Sequence, residues 1–219
     1  MRWWGSDNAR HPGWPARLGP LRTRAGVVEL RPVRLRDGRS WSALRIHNQN
    51  HLMPWEPSGV GAWADRHHMS AWPPLHSVLK AEARSGTMLP FVIEVDGVFR
   101  GQLTVGNVQR GALRNAWIGY WVDAEVVNGG VATAAVALAV DHCFSVVGLH
   151  RLEATVQPTN QPSQAVLTKA GFRREGLLQR YMDVDGAWRD HLLLALTAEE
   201  IGPGVVARLV GTGRAAYVE

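Results

Sequence analysis

Short runs of alternating or continuous apolar residues mark strands in this chain, and one long Ala/Val-rich run marks a helix. Val27–Val33 (VVELRPV), Leu89–Val95, Val98–Val108, Trp117–Val122 and Arg151–Val156 read as strands. Asp96-Gly97 makes a two-residue hairpin turn, and Asp185-Gly186 does the same for a last pair, about Leu177–Val184 and Trp188–Leu196. Helices are expected from an Asp37 N-cap to about His51, where Pro54 stops the chain, and over about 61–72 and 74–85, separated by Pro73-Pro74. The long helix is expected over Val131–Val147. A shorter one runs from about Pro162 to Ala170, capped by Asn160 and ended by Gly171. Residues 1–26 lack a period and read as an irregular arm held by Trp3, Trp4 and Trp14. Residues 27–196 read as one domain, and 197–219 as a tail that starts like a short helix (TAEEIG) and then weakens. The class is α+β, a mostly antiparallel sheet flanked by helices.

Composition narrows the setting. The 219 residues are 46% hydrophobic and 20% charged, as in an ordinary globular domain. The single cysteine, Cys143, excludes an internal disulfide and fits a reducing, cytoplasmic compartment; it reads as a buried structural thiol in the long helix. No apolar run reaches membrane-spanning length, and the N-terminus lacks the apolar region of a secretory signal. Net charge is +5, almost all from arginine, since Lys80 and Lys169 are the only lysines. The charge reads as a solvated surface first and an attraction to phosphates second. No nucleic-acid-binding motif accompanies it. His47 and His51 stand at i, i+4, but without a third ligand they read as surface or hydrogen-bonded histidines, and no metal is expected.

The stretch around which the chain is organised runs from Ile118 to Val147. A strand (IGYWV) meets the loop Asn128-Gly129-Gly130 and continues as the long helix. Glycine allows close backbone approach, and a helix start offers unpaired N–H groups and partial positive charge, so the junction suits a phosphate. A tight strand-to-helix connection accounts for the same residues without a ligand. Downstream stand N160-Q-P-S163, K169-A-G171-F172 and D185-G-A-W-R-D-H191. In this order, over about Val27–Leu196, these motifs resemble the acetyl-CoA-dependent N-acetyltransferases of the GNAT superfamily, and within it the RimJ/RimL-type ribosomal-protein acetyltransferases.

The resemblance implies the splayed sheet of the GNAT fold, acetyl-CoA as cosubstrate, and direct acetyl transfer to the N-terminal amine of a protein or peptide, possible acceptors being ribosomal. It implies a phosphate loop at Val127, Asn128, Gly129, Gly130, Val131, Ala132 and Thr133. Here Val127 replaces the usual Gln or Arg, and Asn128 stands where glycine is common, so weaker CoA binding is expected. Trp121 and Val122 match the strand that pairs with the pantetheine arm. The tyrosine used by many relatives as thiolate acid is Leu167 here. Ser163 is therefore the expected partner of the leaving sulfur, and Asn160 a helix cap that also serves the pantetheine. Transfer needs a neutral amine. Glu56, in the rigid turn Met53-Pro54-Trp55-Glu56-Pro57, is the first candidate to bind or deprotonate it; Asp183 is second and Tyr181 third. Small-amine acetylation and a non-catalytic CoA-binding or RNA-associated module are the competing functions. The oligomeric state is left open.

Overall fold

A computed structural model describes residues 11–218. The described chain enters through β1 (Leu18–Thr23) and returns along β2 (Gly26–Pro32). Four helices follow: α1 (Gly38–His47), α2 (Gln49–Leu52), α3 (Trp63–Arg66) and α4 (Trp72–Ser85). Strands β3 (Met88–Val95), β4 (Val98–Gln109) and β5 (Asn115–Val122) form an antiparallel meander. Then come α5 (Val131–Ser145), β6 (Arg151–Val156), α6 (Gln161–Ala170) and the hairpin β7 (Arg173–Val184) with β8 (Ala187–Thr197). Helix α7 (Val205–Gly211) and β9 (Ala216–Tyr217) close the described chain.

The strands form a nine-stranded sheet in the order β7-β8-β6-β5-β4-β3-β2-β1-β9. The α+β class and the mostly antiparallel sheet agree with the sequence reading. Among the described strands the one parallel pair, β5 with β6, is matched only from Asn115↔Arg151 to Trp117↔Glu153. Past Trp117 the two strands part, and the edge of β5 from Ile118 to Val122 is left without a strand on that side. This splay opens the site described below.

Helix α5 is apolar around most of its circumference, as expected of a helix enclosed by the sheet and other helices. Val131, Ala135, Val136, Val140 and Cys143 are all buried, in one core with Leu30, Ile93, Leu103 and Leu152. Burial pushes the Cys143 thiol up to about 12, so it is held as an inert thiol.

The termini depart from the sequence reading. Residues 18–23, expected to be irregular, form β1. Only Leu21 of that strand is fully buried, so its apolar signal was too thin to read as a strand. Thr23 Oγ1 donates to the Gly26 carbonyl at 2.9 Å and closes the turn. Trp14 packs edge-on against Phe91, with centroids 5.2 Å apart; Trp3 and Trp4 lie outside the described residues. The tail is built in as well. Asp141 of α5 accepts from the Val205 and Val206 N–H groups at 2.7 and 3.0 Å, capping α7 from another helix.

Three local expectations also change. The helix expected to run to His51 breaks at Asn48. Pro73-Pro74 begin α4 rather than separate two helices, since the first turn needs no N–H donors there. Asp37 stands at the cap position, but its carboxylate pairs with Arg31 (2.8 and 2.9 Å) and the Arg34 N–H (2.7 Å).

Candidate active site

Where β5 and β6 part, a cleft of about 740 Å³ opens between β5, the loop into α5, α6, the turn after α2 and the C-terminal residues. Tyr120, Trp121 and Val122 line its strand side, and Asn160 and Ser163 face them from α6. Val127, Asn128, Gly130, Val131, Ala132 and Thr133 line one end. Glu56, Trp55 and His51 line another part of the wall.

At the loop, Asn128 has φ 60° and Gly130 has φ 91°. Both are left-handed, and asparagine is among the few non-glycine residues that tolerate this region. That is why Asn128 stands where glycine was expected without breaking the turn. Gly130 caps α5, so the first N–H groups of the helix have no partner inside it. Gly129 does not line the cleft. Its carbonyl accepts from the Ala25 N–H at 3.2 Å, and a side chain there would strike Ala25, so its role is packing against the β1–β2 turn.

The expected loss of a side-chain donor at Val127 is real at that position, but cations arrive from elsewhere. Arg24 Nη2 donates to the Asn128 carbonyl at 2.5 Å, and Arg24 and Arg214 both line the cleft. Neither was singled out from the sequence. Both lie in terminal segments, and nothing local in those segments marks them as neighbours of the loop.

At the start of α6, Asn160 Oδ1 accepts from the Ser163 N–H at 3.1 Å, as its capping role predicts. The Ser163 hydroxyl stands 3.0 Å from the Tyr120 hydroxyl. Burial pushes the Tyr120 phenol up, while its bond to Ser163 works in the opposite direction, so the phenol stays protonated. Tyr120 was missed: within IGYW it reads as one more core aromatic.

Glu56 is not a free carboxylate. Arg45 Nη1 donates to its Oε1 at 2.6 Å, and Arg45 Nη2 contacts His67 Nε2 at 2.8 Å. His67 Nδ1 lies 2.8 Å from the Trp63 carbonyl, so Nδ1 carries the proton and Nε2 accepts from Arg45. Burial, and then the Arg45 charge, push His67 down to about 4, which keeps it neutral. The Arg45 guanidinium lies over Trp63 and Trp121, 4.9 and 5.2 Å from the ring centroids. With Oε1 taken by Arg45, the Glu56 carboxylate has its other oxygen left for a second donor, the arrangement that recognition of an ammonium calls for. The other two base candidates do not line the cleft. Asp183 holds the β7–β8 hairpin by accepting from the Ser58 hydroxyl at 2.8 Å, and Tyr181 stacks on His191.

Two ties fix the turn that carries Glu56. Asn48 Nδ2 donates to Asp123 Oδ1 at 3.0 Å, and Asn48 Oδ1 accepts from the Ala124 N–H at 2.9 Å. Burial alone would raise the Asp123 carboxyl, but bonds from Asn48 and Arg100 hold it below the usual carboxylate range. At the other end, Gln157 Nε2 donates to the Pro54 carbonyl at 3.0 Å. The turn therefore bridges the end of β5 and the loop before α6. Among the described residues no group of three or more His, Cys, Asp or Glu is placed to hold a metal.

Residues 28–173 match the acetyltransferase (GNAT) domain family. The solved Mycobacterium smegmatis RimJ, in complex with CoA-disulfide, is 60% identical, with a TM-score of 0.94 over 95% of this chain and 100% of that one. The Escherichia coli [ribosomal protein uS5]-alanine N-acetyltransferase is 27% identical over 88% of this chain and 98% of its own length. A Bacillus subtilis protein named "Probable N-acetyltransferase YjcK" is 43% identical, but the chain spans only 53% of its length. The chain belongs to the GNAT acetyltransferase family and is an acyltransferase.

Proposed function

We propose that the protein transfers acetyl from acetyl-CoA to the N-terminal α-amine of a protein, with ribosomal proteins as the acceptor class and the cytoplasm as the place of action. The observation that carries this reading is the make-up of one cleft. It combines helix-start N–H groups with Arg24 and Arg214, the unpaired edge of β5, and the Tyr120–Ser163 hydroxyl pair with Glu56. These features suit the phosphates, the extended diamide arm and the thioester of acetyl-CoA, with an amine beside the last.

Each residue then has a task. Val127, Asn128, Gly130, Val131, Ala132 and Thr133 cradle the phosphates, mainly through backbone N–H groups. The edge at Trp121 and Val122 pairs with the pantetheine amides. Asn160 holds the start of α6, and Ser163 hydrogen-bonds the leaving sulfur. Glu56 receives the acceptor's ammonium. Bringing both substrates together in one cleft supplies much of the acceleration.

The acceptor class is supported by the E. coli relative that acts on the uS5 alanine and by the likeness to RimJ. Charge adds to this. Glu56 is the one carboxylate lining the cleft among the described residues, and Arg45 already neutralises it. A polyamine site would call for several free carboxylates, whereas a single α-amine needs only one polar partner.

Thiol release from acetyl-CoA, measured against N-terminal peptides of ribosomal proteins and against small amines, tests the reading. Turnover with one peptide class is expected. Turnover confined to small amines would replace it with small-molecule acetylation. Acetyl-CoA binding without turnover on any acceptor would favour a non-catalytic CoA-binding module.

A further inference from the structure

An acceptor α-amine is largely protonated at neutral pH and must lose a proton before it can attack. The cleft limits what can take that proton. Among the described residues its titratable and charged groups are Arg24, His51, Glu56, Tyr120, Lys169 and Arg214. Arginine and lysine are already cations. Tyr120 is held protonated against Ser163. Glu56 is paired with Arg45 at 2.6 Å. His51 remains. It lies on α2, is solvent-exposed, and its ring makes no hydrogen bond to any other described residue.

His51 is also held in place from both sides. Three residues before it, Asn48 is bonded to Asp123 and Ala124 at the end of β5. Three residues after it, Pro54 is bonded to Gln157 ahead of α6. The segment between these ties spans the gap between the strand carrying Tyr120 and the helix carrying Ser163. The break of the helix at Asn48 has a use in this light: Asn48 leaves the helix to make the first tie, and the following turn brings His51 and Glu56 to the same cleft.

We propose that His51 is the general base of the acetyl transfer, resting on the α-amine reading given above. Glu56 binds the acceptor's ammonium, and an unprotonated nitrogen of His51 removes one proton from it. The freed amine nitrogen forms the C–N bond at the thioester carbonyl carbon. As the C–S bond breaks, the nitrogen gives up its second proton, which reaches the departing sulfur by way of the Ser163 hydroxyl. The products are the acetamide and the free thiol. The proton on His51 passes to solvent, to which its exposure gives direct access. Histidine suits this task because its charge changes between pH 5 and 8.

The test is the pH dependence of kcat/KM for an acceptor peptide with wild type, His51→Ala and His51→Gln, together with acetyl-CoA titration of each. At pH 7 both variants should lose about a hundredfold in kcat/KM and bind acetyl-CoA within twofold of wild type. The deficit should narrow as pH rises past the acceptor's own amine pKa, and free imidazole should restore part of the His51→Ala rate. Variants that keep kcat/KM within twofold across the range would overturn the assignment. So would a loss that is constant with pH and not rescued by imidazole, which marks a positioning role. A wild-type protein that binds acetyl-CoA but acetylates no amine would instead sink the parent reading, and the assignment with it.

Discussion

The hydroxyl oxygens of Tyr120 and Ser163 stand 3.0 Å apart across the cleft, one from β5 and one from the first turn of α6. The Tyr120 hydroxyl also lies 3.3 Å from the Ser163 carbonyl. When Tyr120 donates to Ser163 Oγ, the serine's own hydrogen is left for a partner in the cleft. If Ser163 serves the leaving sulfur as proposed, Tyr120 acts through it as a positioning residue. Ser163→Ala should lower kcat by about a hundredfold and Tyr120→Phe by about tenfold, both with little change in acetyl-CoA KM. The double variant should be no worse than Ser163→Ala alone, because the two residues work as a unit. Steady-state kinetics on the three variants checks this, and additive losses would give Tyr120 an independent role.

Arg24 and Arg214 supply the positive charge that Val127 lacks. Arg24→Ala and Arg214→Ala should each weaken acetyl-CoA binding by about tenfold, or ~1.4 kcal/mol, in the range of a charge-assisted hydrogen bond to a partly exposed phosphate. Calorimetric titration at two salt concentrations reads the effect, which should shrink as salt rises. Acetyl-pantetheine, which has no phosphates, should bind the variants as it binds wild type.

Asp141 ties the tail to the core through the Val205 and Val206 N–H groups. Asp141→Ala should cost about 1–2 kcal/mol, as loss of an N-cap does, and lower Tm by about 3–6 °C for a chain of this size. Leu209, Gly213, Arg214 and Ala215 lie beyond α7's start and line the cleft, so acetyl-CoA affinity should fall as well. Thermal melts with and without acetyl-CoA separate the two effects. A lower Tm with unchanged affinity would mean the tail keeps its place without the cap.

His67 gives the fold a pH dependence. Burial and the Arg45 charge lower its folded pKa to about 4, against about 6.5 in an unfolded chain. Between these values the unfolded state binds the proton that the folded state refuses, so stability rises with pH. The contribution is fully present above about pH 6.5 and is lost as pH falls toward 4, to an upper limit of ~3 kcal/mol. A Tm–pH series should show this slope in wild type and a flatter one in His67→Gln. Equal slopes would place the acid sensitivity in other groups.

The loop into α5 shows how far sequence reading reached. The strand, the left-handed turn at Asn128 and Gly130, the long helix and the Asn160 cap are each decided by neighbours a few residues apart. Their chemistry, unpaired N–H groups at a helix start, was therefore legible, and so was the order of motifs that marks the family. Ser163 was found because it belongs to such a local motif. The two roles weighed for Glu56, binding or deprotonating the amine, stood level in the sequence because its partner Arg45 lies on α1, 11 residues away. Nothing between them reveals a 2.6 Å ion pair.

By itself the sequence determined the α+β class, the hairpins and helix ends, the glycine turn into α5 and the hydroxyl at the start of α6. Periodicity, turn chemistry and capping act over one or two turns of chain and are written there directly. Only the tertiary structure decided that β5 and β6 part after Trp117, that Tyr120 meets Ser163, that Arg45 pairs with Glu56 while the His51 ring has no hydrogen-bond partner among the described residues, and that both termini bring arginines to the loop. These are relations between segments as many as 104 residues apart. Whether a side chain there is a ligand, a base or a brace depends on which groups folding brings within reach of it.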